Sequence, residues 1–143
     1  MNIVLKNVAQ NGMFLKYYTG PQTEELCKIA VAQNPYALTC VKEQTEDICK
    51  AAVAKNGMAI QYVKVQTEAI CLIAVKQNVA ALAHVINQTD NICKSAVAIN
   101  GMALQFVREP TQEICDIAIN QNVYAAKYAK EKGFQTDFDF SES

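Results

Sequence analysis

The sequence predicts an all-α fold, an α-solenoid of stacked 22-residue helix-turn-helix repeats. Three observations carry that expectation. One pattern recurs every 22 residues without a gap, apolar residues fall at helical spacing in both halves of each unit, and no alternation of strand type is sustained anywhere. The unit opening at Gln22 reads QTEELCKIAVAQNPYALTCVKE. Those that follow begin QTEDICKAAVAKNG at Gln44, QTEAICLIAVKQNV at Gln66, QTDNICKSAVAING at Gln88 and PTQEICDIAINQNV at Pro110.

The organisation follows from the period. A partial unit, 1-21, carries one extra residue before Gln22. Five full units follow, 22-43, 44-65, 66-87, 88-109 and 110-131, so 1-132 is expected to be a single repeat array. Residues 133-143 form an acidic-aromatic tail, either a cap on the last unit or disordered.

Each element has a start signal. Thr23, Thr45, Thr67, Thr89 and Thr111 suit the N-cap of a first helix of about 11 residues, because the hydroxyl accepts a free N–H of the first turn. Acidic residues follow at once (Glu24, Glu46, Glu68, Asp90, Glu113), which suits the positive end of the helix dipole. Asn11, Asn34, Asn56, Asn78, Asn100 and Asn122 then divide the unit. Pro35 follows Asn34 and favours the first position of a second helix, expected to run about nine residues. Gly12, Gly57 and Gly101 in the same place are read as easing a tight turn. Both helices carry an apolar arc wider than a surface helix needs. An isolated pair cannot offset its ordering cost of about 1–2 kcal/mol per residue, whereas stacked pairs share their burial.

Composition bounds the function. Apolar residues make up 51% and charged residues 19%, which excludes a disordered chain. Thirteen basic and 14 acidic residues leave a net charge of −1, which argues against nucleic-acid binding, since that needs a basic surface. No apolar run approaches the roughly 18–20 residues of a membrane span. The opening MNIVLKNVAQNGM has no signal-peptide core. The expectation is a reducing, cytoplasmic location with no membrane association.

The pattern QTE-x-[IL]-C-x-x-A-V-x-x-N-G-x-A-[IL]-x-[YF]-V resembles the short two-helix repeat called domain of unknown function 4116, over about residues 3-132. Cys40 and His84 depart from it in the aromatic column, and Pro110 in the Gln column. The resemblance implies a helical array of viral or bacterial type, and it transfers no catalytic residue.

Candidate sites were weighed by chemistry. Cys27, Cys49, Cys71, Cys93 and Cys115 recur every 22 residues, without the close pairs that zinc needs. They read as small buried apolar residues, with no metal site and no cofactor. His84 has no nucleophile or acid at a fixed spacing and reads as a member of the aromatic column, so no catalytic residue is assigned and the chain is expected not to be an enzyme. The Gln and Asn columns could read RNA bases one per unit, but structural hydrogen bonds account for them better. A ridge of Met13, Tyr36, Met58, Met102 and Tyr124, flanked by Gln61 and Gln105, has the adaptable and anchoring residues of an interface. The function expected is therefore a non-enzymatic scaffold that binds a protein, as a viral or bacterial adaptor or inhibitor of a host protein. The alternative is a small-ligand, nucleotide-like binder with a pocket between repeats or protomers. A homodimer through the exposed repeat ends is a further expectation.

Overall fold

The computed structural model describes residues 2-137. Among them every regular element is helical, with no strand. Seven α-helices, α1 (Ile3–Gln10), α2 (Glu24–Gln33), α3 (Glu46–Lys55), α4 (Glu68–Gln77), α5 (Asp90–Ile99), α6 (Gln112–Gln121) and α7 (Ala126–Glu131), alternate with six 3-10 helices. The latter are η1 (Gly12–Tyr17), η2 (Pro35–Cys40), η3 (Gly57–Tyr62), η4 (Val79–His84), η5 (Gly101–Phe106) and η6 (Val123–Ala125), which runs directly into α7. Each α-helix packs on the next α-helix and each 3-10 helix on the next 3-10 helix, always between neighbours in sequence. The result is a two-layer solenoid, one layer α-helical and the other 3-10.

The start signals operate as the residue chemistry requires. The hydroxyls of Thr23, Thr45, Thr67, Thr89 and Thr111 accept the N–H three residues on, at 3.2–3.3 Å. The side chain of each dividing Asn accepts the N–H two residues on, at 3.0 Å. Each Asn thus ends one helix and caps the next.

The second half of the unit differs from the expected nine-residue helix. It is a six-residue 3-10 helix, closed by a bond from the Val41, Val63, Val85 or Val107 N–H to the carbonyl three residues back. The same 3-10 form and extended end recur in η1, which has no Gln clamp among the described residues, so the Gln column braces this layer rather than causing it. Gln22, Gln44, Gln66 and Gln88 each donate Nε2–H to the carbonyl of residue 40, 62, 84 or 106 at 2.9–3.0 Å, and their Oε1 accepts the N–H two residues further on at 2.9 Å. That clamp holds the intervening Val extended, near φ −80°, ψ 120°. The helix cannot propagate past it. In the last full unit Pro110 replaces the Gln and supplies no amide side chain, and there the 3-10 turn relaxes into α7.

The core is one continuous column. Each full unit buries four residues of its α-helix (in α3, Ile48, Cys49, Ala52 and Val53) and two from its 3-10 layer (Ala59 and Ile60), with Val63 at the end of that layer. The Ala columns let the layers approach closely, and no described polar or charged residue is buried in the core.

The glycines have a different role from turn relief. None of Gly12, Gly57 and Gly101 takes a positive φ. Instead, a Cβ on each would overlap the carbonyl oxygen of Ala30, Ala74 or Ala118 in the next unit. The same glycines donate their N–H to Oε1 of Gln33, Gln77 and Gln121 at 2.6 Å. Pro35, Val79 and Val123 occupy the intervening positions. Close and wide joints therefore alternate, and the true structural period is two units.

Gly133, at φ +85°, closes α7. Its N–H bonds to the Lys130 carbonyl and the Phe134 N–H to the Ala129 carbonyl, both at 2.9 Å, the Schellman arrangement. Phe134 packs against the core, so the tail begins as a cap on the last unit. Phe138, Asp139, Phe140 and Glu142 lie outside the described residues.

Candidate functional site

The Cys column is accounted for by packing. Cys27, Cys49, Cys71, Cys93 and Cys115 are buried free thiols. The S–H groups of Cys27, Cys49 and Cys71 point at Oε1 of Gln22, Gln44 and Gln66, 3.7–3.9 Å away. Burial, and then the negative charge of Glu24, Glu46, Glu68, Asp90 or Asp116, pushes all five thiols above their ordinary range. Among the described residues no group of three His, Cys, Asp or Glu could hold a metal ion.

The polar columns are occupied by the backbone. Besides clamping its own unit, Gln44, Gln66 or Gln88 donates to the carbonyl of Leu38, Ile60 or Leu82 in the preceding unit at 2.9–3.4 Å. Side chains so engaged do not face a ligand. On the α-layer edge, Thr45, Thr67 and Thr89 donate to Glu24, Glu46 and Glu68 of the preceding unit at 2.7–2.9 Å. The ladder changes at the shorter Asp90, where Lys94 bridges Asp90 and Glu113 at 2.7 and 2.9 Å.

The 3-10 layer has a distinct surface. No residue of η1 to η6 is acidic, whereas acids occupy the first turns of α2 to α6. Tyr36 and Tyr124 on this layer are 51% and 65% exposed. Met13, Met58 and Met102 are half-buried beside them, with Gln61 and Gln105 exposed. The amides of Gln61 and Gln105 donate to the Met58 and Met102 carbonyls at 3.0 Å, which fixes the side chains along the ridge. His84 is half-buried in the aromatic column.

Of the clefts along the array, two are the most spacious among those the described residues line. One of about 720 Å³ lies between α6 and the tail, walled by Asp116, Ile119, Val123 and Asp137 among others. The second, about 460 Å³, lies between η1 and η2 and is lined by Met13, Lys16, Tyr18, Tyr36, Cys40 and Lys42 among others. Sequence reasoning placed Met13 and Tyr36 on one ridge but missed this cleft. The signal was present in two departures from the repeat, the small Cys40 in the aromatic column and the extra residue before Gln22.

No family model matches the chain, and no curated protein or solved structure matches it either. No described helix is long and apolar enough to cross a membrane.

Proposed function

We propose that the chain is a non-enzymatic repeat scaffold that docks a protein on its 3-10 layer, as a cytoplasmic adaptor or inhibitor of the viral or bacterial type its repeats resemble. One observation carries this reading. An acid-free layer presents Met13, Tyr36, Met58, Met102 and Tyr124 in one register, interrupted only by Ala80 in the unit 66-87. Met adapts to a partner's shape and Tyr anchors with little entropic loss. Solenoids use such extended surfaces for recognition. The Gln and Cys columns that could suggest chemistry are engaged in holding the fold.

The test is affinity capture from host lysate with the wild type and with Tyr36→Ala/Met58→Ala/Met102→Ala. A protein held by the wild type and lost by the folded variant is expected. Equal capture by both would overturn the ridge. The 460 Å³ cleft favours a second reading, a small ligand held between units. That reading requires a thermal shift on adding a small molecule, one that Cys40→Tyr abolishes.

A further inference from the structure

The cleft between η1 and η2 exists because the array lacks one ring. At the next joint Tyr62 of η3 meets Tyr36 of η2 edge-on, with centroids 5.0 Å apart and planes at 79°. The space left there is about 140 Å³. His84, Phe106 and Tyr128 occupy the same column further along. At the first joint that position is Cys40, and the cleft facing Met13 grows to about 460 Å³. At the same joint one extra residue precedes Gln22. Unlike Gln44, Gln66 and Gln88, Gln22 makes no bond to the preceding unit among the described residues.

The walls specify an occupant. Lys16 and Lys42 flank the cleft, none of its lining residues is acidic, and neither lysine forms an ion pair with a described residue. A ring with carboxylates beside it complements this site. The chain carries such a segment at its own end, Asp137-Phe138-Asp139-Phe140 with Glu142 beyond. The larger cleft, walled in part by Asp137 itself, offers this segment Asp116, a like charge, and no lysine or arginine.

We infer that the acidic-aromatic tail of one copy inserts a Phe into the Cys40 cleft of a second copy, joining arrays head to tail. Reach excludes the same copy. Phe140 lies three residues beyond Asp137, a reach of at most about 11 Å, whereas four repeats at about 8–10 Å separate the tail from the cleft by about 32–40 Å. The array does not close on itself, since its elements touch only sequence neighbours. A head-to-tail contact is heterologous, so it propagates into open chains or rings rather than stopping at a dimer.

The inference rests on the protein-docking reading of the 3-10 layer, and the experiment separates the two. Sedimentation of the full chain from micromolar to millimolar should show average mass rising with concentration, less so at high salt. Cys40→Tyr installs the ring found in neighbouring units. It should weaken association about tenfold or more, as should Phe138→Ala/Phe140→Ala. Mixing these two variants should restore one pairing that cannot propagate, a discrete heterodimer, which also shows that both are folded. Met58→Ala/Met102→Ala leaves the cleft intact and should associate like wild type even where it loses an external partner. A wild type monomeric throughout, or association undiminished by Cys40→Tyr, overturns the inference. So does binding of a free peptide of residues 134–143 to a full chain that never self-associates, because the cleft would then serve another protein's acidic-aromatic segment.

Discussion

Removing the Gln clamp should unlock the 3-10 layer one unit at a time. Gln88 has the tightest set of bonds, to the Leu82 and Phe106 carbonyls and the Arg108 N–H, all at 2.9 Å. Each bond is worth about 0.5–1.5 kcal/mol net. Water reaches this half-buried site, so Gln88→Ala should cost about 2–3 kcal/mol. Gln22 has the bonds to the Cys40 carbonyl and the Lys42 N–H but none to the preceding unit among the described residues, and Gln22→Ala should cost about 1–2 kcal/mol. Gln88→Glu keeps the acceptor for Arg108 but loses both donations and sets a carboxylate against two carbonyls. At neutral pH it should be no better than Ala. Urea denaturation measures the global effect, and amide exchange of Arg108 reports the clamp directly, since repeat arrays open locally. If Gln88→Ala costs under about 0.5 kcal/mol and leaves the Arg108 amide protected, the clamp does not hold this layer.

Three other expectations follow from the same packing. Gly57→Ala places a Cβ on the Ala74 carbonyl and should destabilise by about 1–3 kcal/mol in denaturant, whereas Ala at the equivalent Val79 meets no such requirement. The buried thiols make stability pH-dependent on the alkaline side. Their folded values lie above the ordinary range, so their contribution is complete below that range and falls as pH rises through it toward the folded values. Thermal unfolding across mildly to strongly alkaline pH should show Tm declining, and replacing the Cys column by Ala should flatten the decline. A pH-independent Tm in the parent chain would contradict the assignment. The partly exposed Cys40 should alkylate before the other five under native conditions.

Local rules made most of the fold legible. Thr and Asn caps, the Ala columns and the 22-residue period each state a one-residue requirement, and each is met where the sequence places it. The 3-10 character of the second layer was not legible, because the apolar spacing over six residues fits either helix type. Nor was the brace that Gln44 sets on the Tyr62 carbonyl from 18 residues away, which no local pattern announces. Gly57 was misread for the same reason. A turn explanation was at hand in the adjacent Asn56, while the actual constraint, the Ala74 carbonyl, belongs to the next unit. The alternation of Gly with Pro or Val, matched by Gln33, Gln77 and Gln121, carried that information as a 44-residue period. A search tuned to 22 residues averages it away.

The repeat also explains where individuality must sit. A residue that recurs in every unit answers a demand that every unit shares, which is packing on two neighbours. Gln, Cys, Ala and Asn all do so, and their side chains end on backbone or core atoms. A surface that distinguishes one partner from another cannot come from them. It has to come from positions that vary from unit to unit and stay exposed, such as Tyr36 and Tyr124, or from positions where the demand is left unmet. Pro110 is one unmet demand, and the chain answers it internally by extending α7 and capping it with Phe134. Cys40 is another, and nothing among the described residues fills the space it leaves. That asymmetry singles out the first joint, rather than the regular middle of the array, as the place where a second molecule adds what the repeat omits.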